Sequence, residues 1–364
     1  MRKMSGVEVK DRNNKRPARK LLTAVDLFCG CGGVTEGLKH HNIKVVAALD
    51  NNPVVCKTYR ANHPSVHLYK SDIEFIDPMA IRHNDLKGHN VDILIVCAPC
   101  QPFSSQNRTK KQDKRSNLIF EAIRFARDLR PSVIFFENVP GLVTEKYREI
   151  IDKLKSELLD LGYNLGEPIR VNAADYGVPQ RRIRCILFAV LDSEIPLVPQ
   201  PITPNNKRIT VRNAIGNLSS LQSGEKDISD PLHYASSHLP IALKRLQHIP
   251  KNGGSRFSLP PELELKCHKN HKGHGDVYGR MCWDEVAPTL TTGCTDMTRG
   301  RFSHPEDDRA ITLREAAILQ SFPLDYKFVG TKSQITEQIG NAVPVQLMKA
   351  LVPSLITAVH RGRK

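Results

Sequence analysis

The stretch "VCAPCQPFSSQNRTKKQDKR", residues 96–115, sets Cys100 between Pro99 and Pro102 and follows it with a polar, then basic, run. Two prolines restrict the backbone on either side of the thiol. A thiolate is a nucleophile, and nearby cations favour its formation. The bland alternative is an inert thiol, but the position after an apolar run, "VDILIVCA", places Cys100 where open α/β sheets hold their sites. Glu137 ends the apolar run "SVIFF" in the same manner. A half-buried carboxyl there has the chemistry of a general acid, or merely caps the next turn. Arg182 and Arg184, in "QRRIRC", alternate along the entry to another strand and share a face suited to a carboxylate, a base or a phosphate.

A second group of residues has the chemistry of a small-molecule site. "DLFCGCGG", residues 26–33, reads as strand, glycine-rich turn and helix start. Such a turn lets backbone approach a ligand closely. It lacks the Lys-Ser/Thr of a triphosphate loop. Asp50 ends the next strand, where an acid can hold ribose hydroxyls, and Asp72 in "YKSDIEF" is placed to meet an adenine edge. Each acid alone reads equally as a cap or a solvated loop residue; together they favour an adenosine-containing ligand.

Elements that could position these residues follow from the apolar pattern. Strands at "LLTAVDLF", "IKVVAALD", "VDILIVCA", "PSVIFFENV" and "RCILFAVL" alternate with helices at "VTEGLKHH", "PVVCKTYRANH", "NLIFEAIRFARDL" and "REIIDKLKSELLDLG". That order predicts a doubly wound, mostly parallel sheet. The Pro- and Asn-rich "PLVPQPITPNNKRIT" breaks the alternation. We therefore divide the chain into a basic, flexible arm (1–20), an α/β domain (21–192), an irregular insert (193–308), and a return segment with a C-terminal helix (309–364).

The bulk numbers narrow the partners. Among 364 residues, 53 Lys/Arg outweigh 38 Asp/Glu, a net charge of +15. The excess clusters at 2–20, 108–115 and 180–184, which favours a polyanion such as nucleic acid over general solubility. Nine scattered cysteines, with no hydrophobic leader, suggest reduced thiols. No apolar run by itself approaches the ~20 residues of a membrane helix.

The ordered motifs "DLFCGCGG", "APCQPFS", "ENVPGL", "QRRIRCILF", "RAITLREAAILQSFP" and "QIGNAVP" resemble those of the cytosine-5 DNA methyltransferases, unpermuted, over about residues 22–360. The resemblance implies a Rossmann-like, S-adenosyl-L-methionine-dependent fold with a smaller target-recognition domain in the insert. It implies that Phe28, Gly30, Gly32, Asp50, Asp72, Ile73, Pro99, Asn341 and Val343 line the cofactor pocket. Cys100 would attack C6 of a flipped-out cytosine and Glu137 would bond its N3 and amine. Arg184, with Arg182 beside it and Asn138 as a helper, would hold the ring edge and Glu137. Ser104 and Thr291 (or Thr289) would touch the flipped nucleotide, and the basic run after Cys100 would close on phosphates.

The implied partner is double-stranded DNA. A cognate restriction endonuclease acting on the same site, a bacterial cytoplasm with nucleoid association, and a monomer complete the expectation. No metal is expected: "CHKNHKGH", 267–274, even with Cys282, matches no zinc spacing. "KRPARK" reads as a nuclear signal or as part of the DNA-contacting arm. An RNA methyltransferase of the same fold is the nearest competing reading, but the insert lacks the Cys-Phe-Thr signature of that branch. A non-catalytic DNA-binding protein is the other, and the presence of Cys100 and Glu137 argues against it.

Overall fold

The computed structural model describes residues 21–100, 103, 113–203, 207–269, 273 and 275–361. The basic arm and most of the run after Cys100 lie outside the described residues.

Strand β1 (Leu22–Leu27) is fully apolar except for Thr23 and Asp26, as a central strand covered on both faces must be. It leads through a turn to α1 (Gly33–Leu38) and β2 (Ile43–Leu49). Then come α2 (Pro53–Asn62), β3 (His67–Tyr69), α3 (Pro78–Asn84) and β4 (Ile93–Val96). Next are α4 (Glu121–Leu129), β5 (Val133–Asn138), α5 (Arg148–Asp160), β6 (Tyr163–Leu165), β7 (Ile169–Asn172) and β8 (Ile183–Leu191). The sheet order is β3-β2-β1-β4-β5-β8-β6, with β7 also paired to β8. β1 to β5 pair in parallel, whereas β8 runs antiparallel to β5, β6 and β7. The chain leaves β1 toward β2 and returns on its other side at β4. That reversal opens a crevice at the carboxyl ends of the strands.

The period-two alternation sorts the strand residues to two faces. Val25, Leu27, Leu94, Val96, Ile134 and Phe136 pack under α3, α4 and α5. Ala24, Ile93, Ile95, Phe135 and Phe188 pack under α1 and the C-terminal helix α10 (Val345–Arg361), through Leu347, Met348, Leu351 and Leu355. Before α10 come α6 (Val211–Ile215), α7 (Pro240–His248), α8 (Leu313–Leu319) and α9 (Lys332–Asn341). By length and apolarity the stretch Lys332–Arg361 would pass for a membrane span, but 67% of its apolar window is buried inside the protein. It is a core element.

Two helices differ from the sequence reading. The helix expected across "VTEGLKHH" stops at Leu38, because Lys39 turns extended and His40 takes a left-handed φ of 65°. The helix expected from residue 117 begins instead as a tight 3-10 turn, Lys114–Phe120, capped by Asp113. The insert holds only short helices and isolated bridges among its described residues. Its apolar residues Val211, Met281, Leu290 and Phe302 share one core with Leu313, Phe322, Ile335 and Ile339, so packing is continuous across residue 308.

Candidate active site

Cys100 stands four residues beyond β4, and Glu137 is the penultimate residue of the neighbouring β5. Parallel pairing of β4 with β5 brings these two strand ends side by side. Arg184 arrives from the antiparallel β8, one register position from the partner of Asn138. Its Nε donates to Glu137 Oε1 at 2.8 Å, and its Nη1 to the Ile183 carbonyl at 2.8 Å. Both members are buried, so the pair is little screened and its geometry is fixed. Asn138 Nδ2 donates to the Ala98 carbonyl at 3.1 Å, tying β5 to the segment that carries Cys100.

The turn after Cys100 is closed by Phe103 N–H to the Cys100 carbonyl at 3.0 Å. A Cβ on Gly141 would lie 1.8 Å from the Phe103 carbonyl oxygen, so the "ENVPGL" turn admits only glycine at that approach. The thiol does not show the lowered pKa that the basic run suggested. Burial and the Glu137 charge push Cys100 above its ordinary 9.0, and Arg184 and Arg182 offset only part of this.

The second half of the site lies over β1, β2 and β3. Asp50 follows β2; its Oδ2 accepts from Gly30 N at 3.0 Å and its Oδ1 from Asn52 N at 2.9 Å. Burial raises its pKa, and those two bonds pull it back. Asp72 caps the turn Ile73–Phe75, and its Oδ2 accepts from Asn51 Nδ2 at 3.3 Å. Phe28 holds a left-handed φ of 58°, unusual for a bulky residue and a form of strain found at ligand turns.

Both halves face one cleft of about 610 Å³. That volume suits a drug-sized ligand. Its walls include Phe28, Gly30, Asp50, Asp72, Ile73, Pro99, Cys100, Glu137, Arg184, Asn341 and Val343, all anticipated from the sequence. The others sit elsewhere. Gly32 (φ 96°) backs onto α2 and the C-terminal segment, where a Cβ would meet His63 Nε2 at 2.6 Å and Tyr326 OH at 2.8 Å. Arg182 is not on the cleft wall. Its guanidinium is buried and donates to the carbonyls of Leu290, Gly340 and Ala342 at 2.8, 2.8 and 3.2 Å. It braces the segments of Thr291 and Asn341 rather than facing the thiol. Thr291 is half-buried, and Thr289 donates to the Arg181 carbonyl at 2.6 Å. Ser104 lies outside the described residues, as do His271 and His274 of the His-rich stretch.

Sequence reading missed the contribution of α9. Gln334, Glu337 and Gln338 line the cleft with Asn341, at helical spacing on one face. A polar stripe on a helix whose other face carries Ile335 and Ile339 was the available signal. Cys97 and Leu118 also line the cleft.

The residues fit an adenosine-bearing cofactor with an amino-acid tail. The cleft offers one acid after β2, a second polar turn after β3, an open glycine backbone at Gly30, and the polar residues Gln334, Glu337 and Asn341 of α9.

Known proteins supply an independent comparison. The family model for C-5 cytosine-specific DNA methylase matches residues 22–357. The chain is 41% identical to the Type II methylase M.HgiDII of Herpetosiphon aurantiacus over 339 residues, 91% of this chain and 94% of that protein. It is 32% identical to the Type II methyltransferase M.Eco47II of Escherichia coli over 359 residues, 95% and 82% of the two chains. In structure it is similar to a putative DNA modification methyltransferase encoded within a prophage of E. coli (TM-score 0.74, 23% identity, 93% of this chain and 99% of that one).

Proposed function

Because the chain belongs to the C-5 cytosine-specific DNA methylases, and so is a DNA cytosine-5 methyltransferase, we propose that it methylates a flipped-out cytosine through a covalent bond to Cys100. Its fold is the Rossmann-like fold of S-adenosylmethionine-dependent methyltransferases, as the motifs implied. The single observation that carries the mechanism is the shared cleft. Thiol, carboxyl and guanidinium open into the same cavity as Asp50, Asp72 and the glycine turn.

Cytosine C5 is a poor nucleophile until C6 is attacked. Inside a stacked duplex neither atom is reachable by a side chain, so the base must leave the helix. Cys100 as thiolate forms the Sγ–C6 bond, and the displaced π electrons move toward C5 and N3. Glu137, as the acid, places a proton at N3 and accepts from the exocyclic amine. Arg184 fixes the Glu137 carboxyl and the ring edge. S-adenosyl-L-methionine, held by Phe28, Asp50, Asp72, Ile73, Asn341 and Val343, supplies a sulfonium methyl for C5. Solvent water then takes the C5 proton, the C5–C6 double bond reforms as the Cys100 thiolate is expelled, and N3 returns its proton to Glu137.

The raised thiol pKa fits a nucleophile whose activation waits for substrate. DNA phosphate contacts by the basic run and by Ser104 would complete the site only when a base is in place. Arg182 acts as a positioning residue, holding the segments that carry Thr291 and Asn341. Region 193–308 supplies target recognition from its irregular loops. The identities to Type II enzymes support a methyltransferase of restriction-modification type, and the proposal adds to this a cognate endonuclease for the same site, a monomeric state and a place at the bacterial nucleoid.

The test is transfer of labelled methyl to duplex DNA and to tRNA by the wild type and by Cys100→Ser, with bisulfite mapping of the DNA. Methylation of one short DNA motif, lost in the variant, is the expected result. Transfer to tRNA alone, or no transfer to either, would overturn the proposal.

A further inference from the structure

Residues 179–184 carry three arginines, and the roles described so far account for two. Arg184 holds Glu137, and Arg182 braces the carbonyls of Leu290, Gly340 and Ala342. Alternation along the chain turns Arg181 and Ile183 the other way. Both are exposed, whereas Gln180, Arg182 and Arg184 are buried. The Arg181 guanidinium has no hydrogen bond, ion pair or ring contact among the described residues.

A long, unpaired cation is ordinarily just solvated, but the Arg181 backbone is held as a solvated loop is not. Its N–H donates to the Ala287 carbonyl at 2.8 Å, and its carbonyl accepts from Thr289 Oγ1 at 2.6 Å. The preceding Gln180 bridges to Ala287 and accepts from Leu290 N–H on Oε1 at 3.0 Å. The free charge is therefore anchored from two sides, by β8 and by residues 287–290. Anchoring its backbone in advance lowers the ordering cost of any contact that the side chain makes.

The anchor lies close to the reacting base. Three residues separate Arg181 from Arg184, at most about 10 Å of chain. Arg184 fixes the carboxyl that meets the base, and the base hangs from its own sugar and phosphate. An arginine side chain rooted at 181 thus reaches the backbone beside the extruded nucleotide. Its planar, permanently charged fork matches a phosphate.

We propose that Arg181 binds a DNA phosphate next to the flipped cytosine. Thr289, whose hydroxyl proton is spent on the Arg181 carbonyl, is the positioning residue that fixes it. This assignment rests on the base-flipping reading above and adds an anchor for the strand from which the base is drawn.

The experiment measures binding of the full-length protein to two duplexes, one with the motif found by bisulfite mapping and one without it, over a range of salt concentrations. Arg181→Gln should weaken both duplexes by the same factor, roughly 10-fold. It should also lower the slope of log Kd against log salt by about one, the share of a single phosphate. Arg181→Lys, which keeps the charge, should retain the slope. Thr289→Val leaves the charge but frees the backbone, and should weaken both duplexes roughly threefold with the slope kept. An unchanged slope in Arg181→Gln would mean that no phosphate is met, and a loss confined to the duplex with the motif would make Arg181 a reader of bases; either overturns the proposal. Failure of the wild type to bind or methylate any duplex would instead sink the DNA reading, and the proposal with it.

Discussion

The rim of the parallel sheet and the region 193–308 both hold polar side chains in fixed places, by opposite means. At the rim, backbone ladders do most of the positioning. Cys100, Glu137 and Asp50 reach the cleft because their strands end there, and a single ion pair, Arg184 with Glu137, joins two strands by side chains. Beyond residue 193, side chains replace the ladder. Arg280, fully buried, donates to the carbonyls of Ile249, Leu246, His304 and Asp307 and pairs with Asp308. Arg309, also fully buried, bridges Asp307 and Glu315 at 2.8 Å each. Burial pushes His304, beside them, down to about 4, so it is neutral at physiological pH. A ladder tolerates changes in exposed sequence, whereas a buried network depends on each member.

That contrast can be broken or sharpened by substitution. The largest effect is expected at the rim and on chemistry alone. Glu137→Gln keeps the shape but cannot donate a proton, and methyl transfer should fall by about 10²- to 10⁴-fold. Single-turnover rates on saturating DNA check this, and retention of even a tenth of the rate would remove Glu137 as the acid. Where the other region joins the return segment, Arg309→Leu strands two buried carboxylates and should cost about 3–5 kcal/mol of stability. Urea denaturation measures it; a loss under about 1 kcal/mol would mean the network is solvated rather than structural.

A smaller effect is expected at Asp50. Asp50→Asn disturbs its bond to Gly30 N and the ribose acceptor together, and S-adenosylhomocysteine should bind roughly 10- to 100-fold more weakly, with little change in stability. Unchanged affinity by titration would place the ribose elsewhere.

The smallest effect concerns Asp26, inside the sheet. Burial raises its pKa from 3.8 to about 7, although Thr35 donates to Oδ2 at 2.9 Å. Because the folded value is the higher one, its contribution to stability is full below pH 3.8. It declines as pH rises and is lost above about 7. Asp26→Asn should therefore gain on the wild type as pH goes from 4 to 8. A stability difference that stays flat over that range would show that Asp26 is ionised in the folded protein.

Legibility followed the same contrast. The apolar runs that mark β1, β2, β4 and β5 give out at Phe28, Asp50, Cys100 and Glu137, all on the cleft, whereas β8 meets the cleft at its start, through Arg184. β6 and β7 escaped notice because three- and four-residue edge strands carry too few apolar positions to show a period. Gln338 and its neighbours escaped because a polar stripe on a helix ordinarily means solvent; here it means a cleft wall. Arg182 and Arg184 look equivalent in sequence. Their roles separate only in three dimensions, where one meets Glu137 and the other meets carbonyls of residues 290–342. In the insert and across its junction with the return segment, pairs such as Arg280 with Asp308 and Arg309 with Asp307 and Glu315 leave no periodic trace.

The central claim is that Cys100 bonds to C6 of the target base, and one measurement addresses it directly. Duplex DNA carrying 5-fluorocytosine at the target offers C6 to attack and C5 to methylation. Fluorine, however, cannot leave C5 as a proton does, so the Sγ–C6 bond cannot be released. Incubated with S-adenosylmethionine, the wild-type protein should form a stable adduct, seen by intact mass as protein plus methylated DNA and mapped to Cys100. The Cys100→Ser variant should form none. Methylation of ordinary cytosine by the wild type without any trapped adduct on the fluorinated duplex would contradict the covalent mechanism.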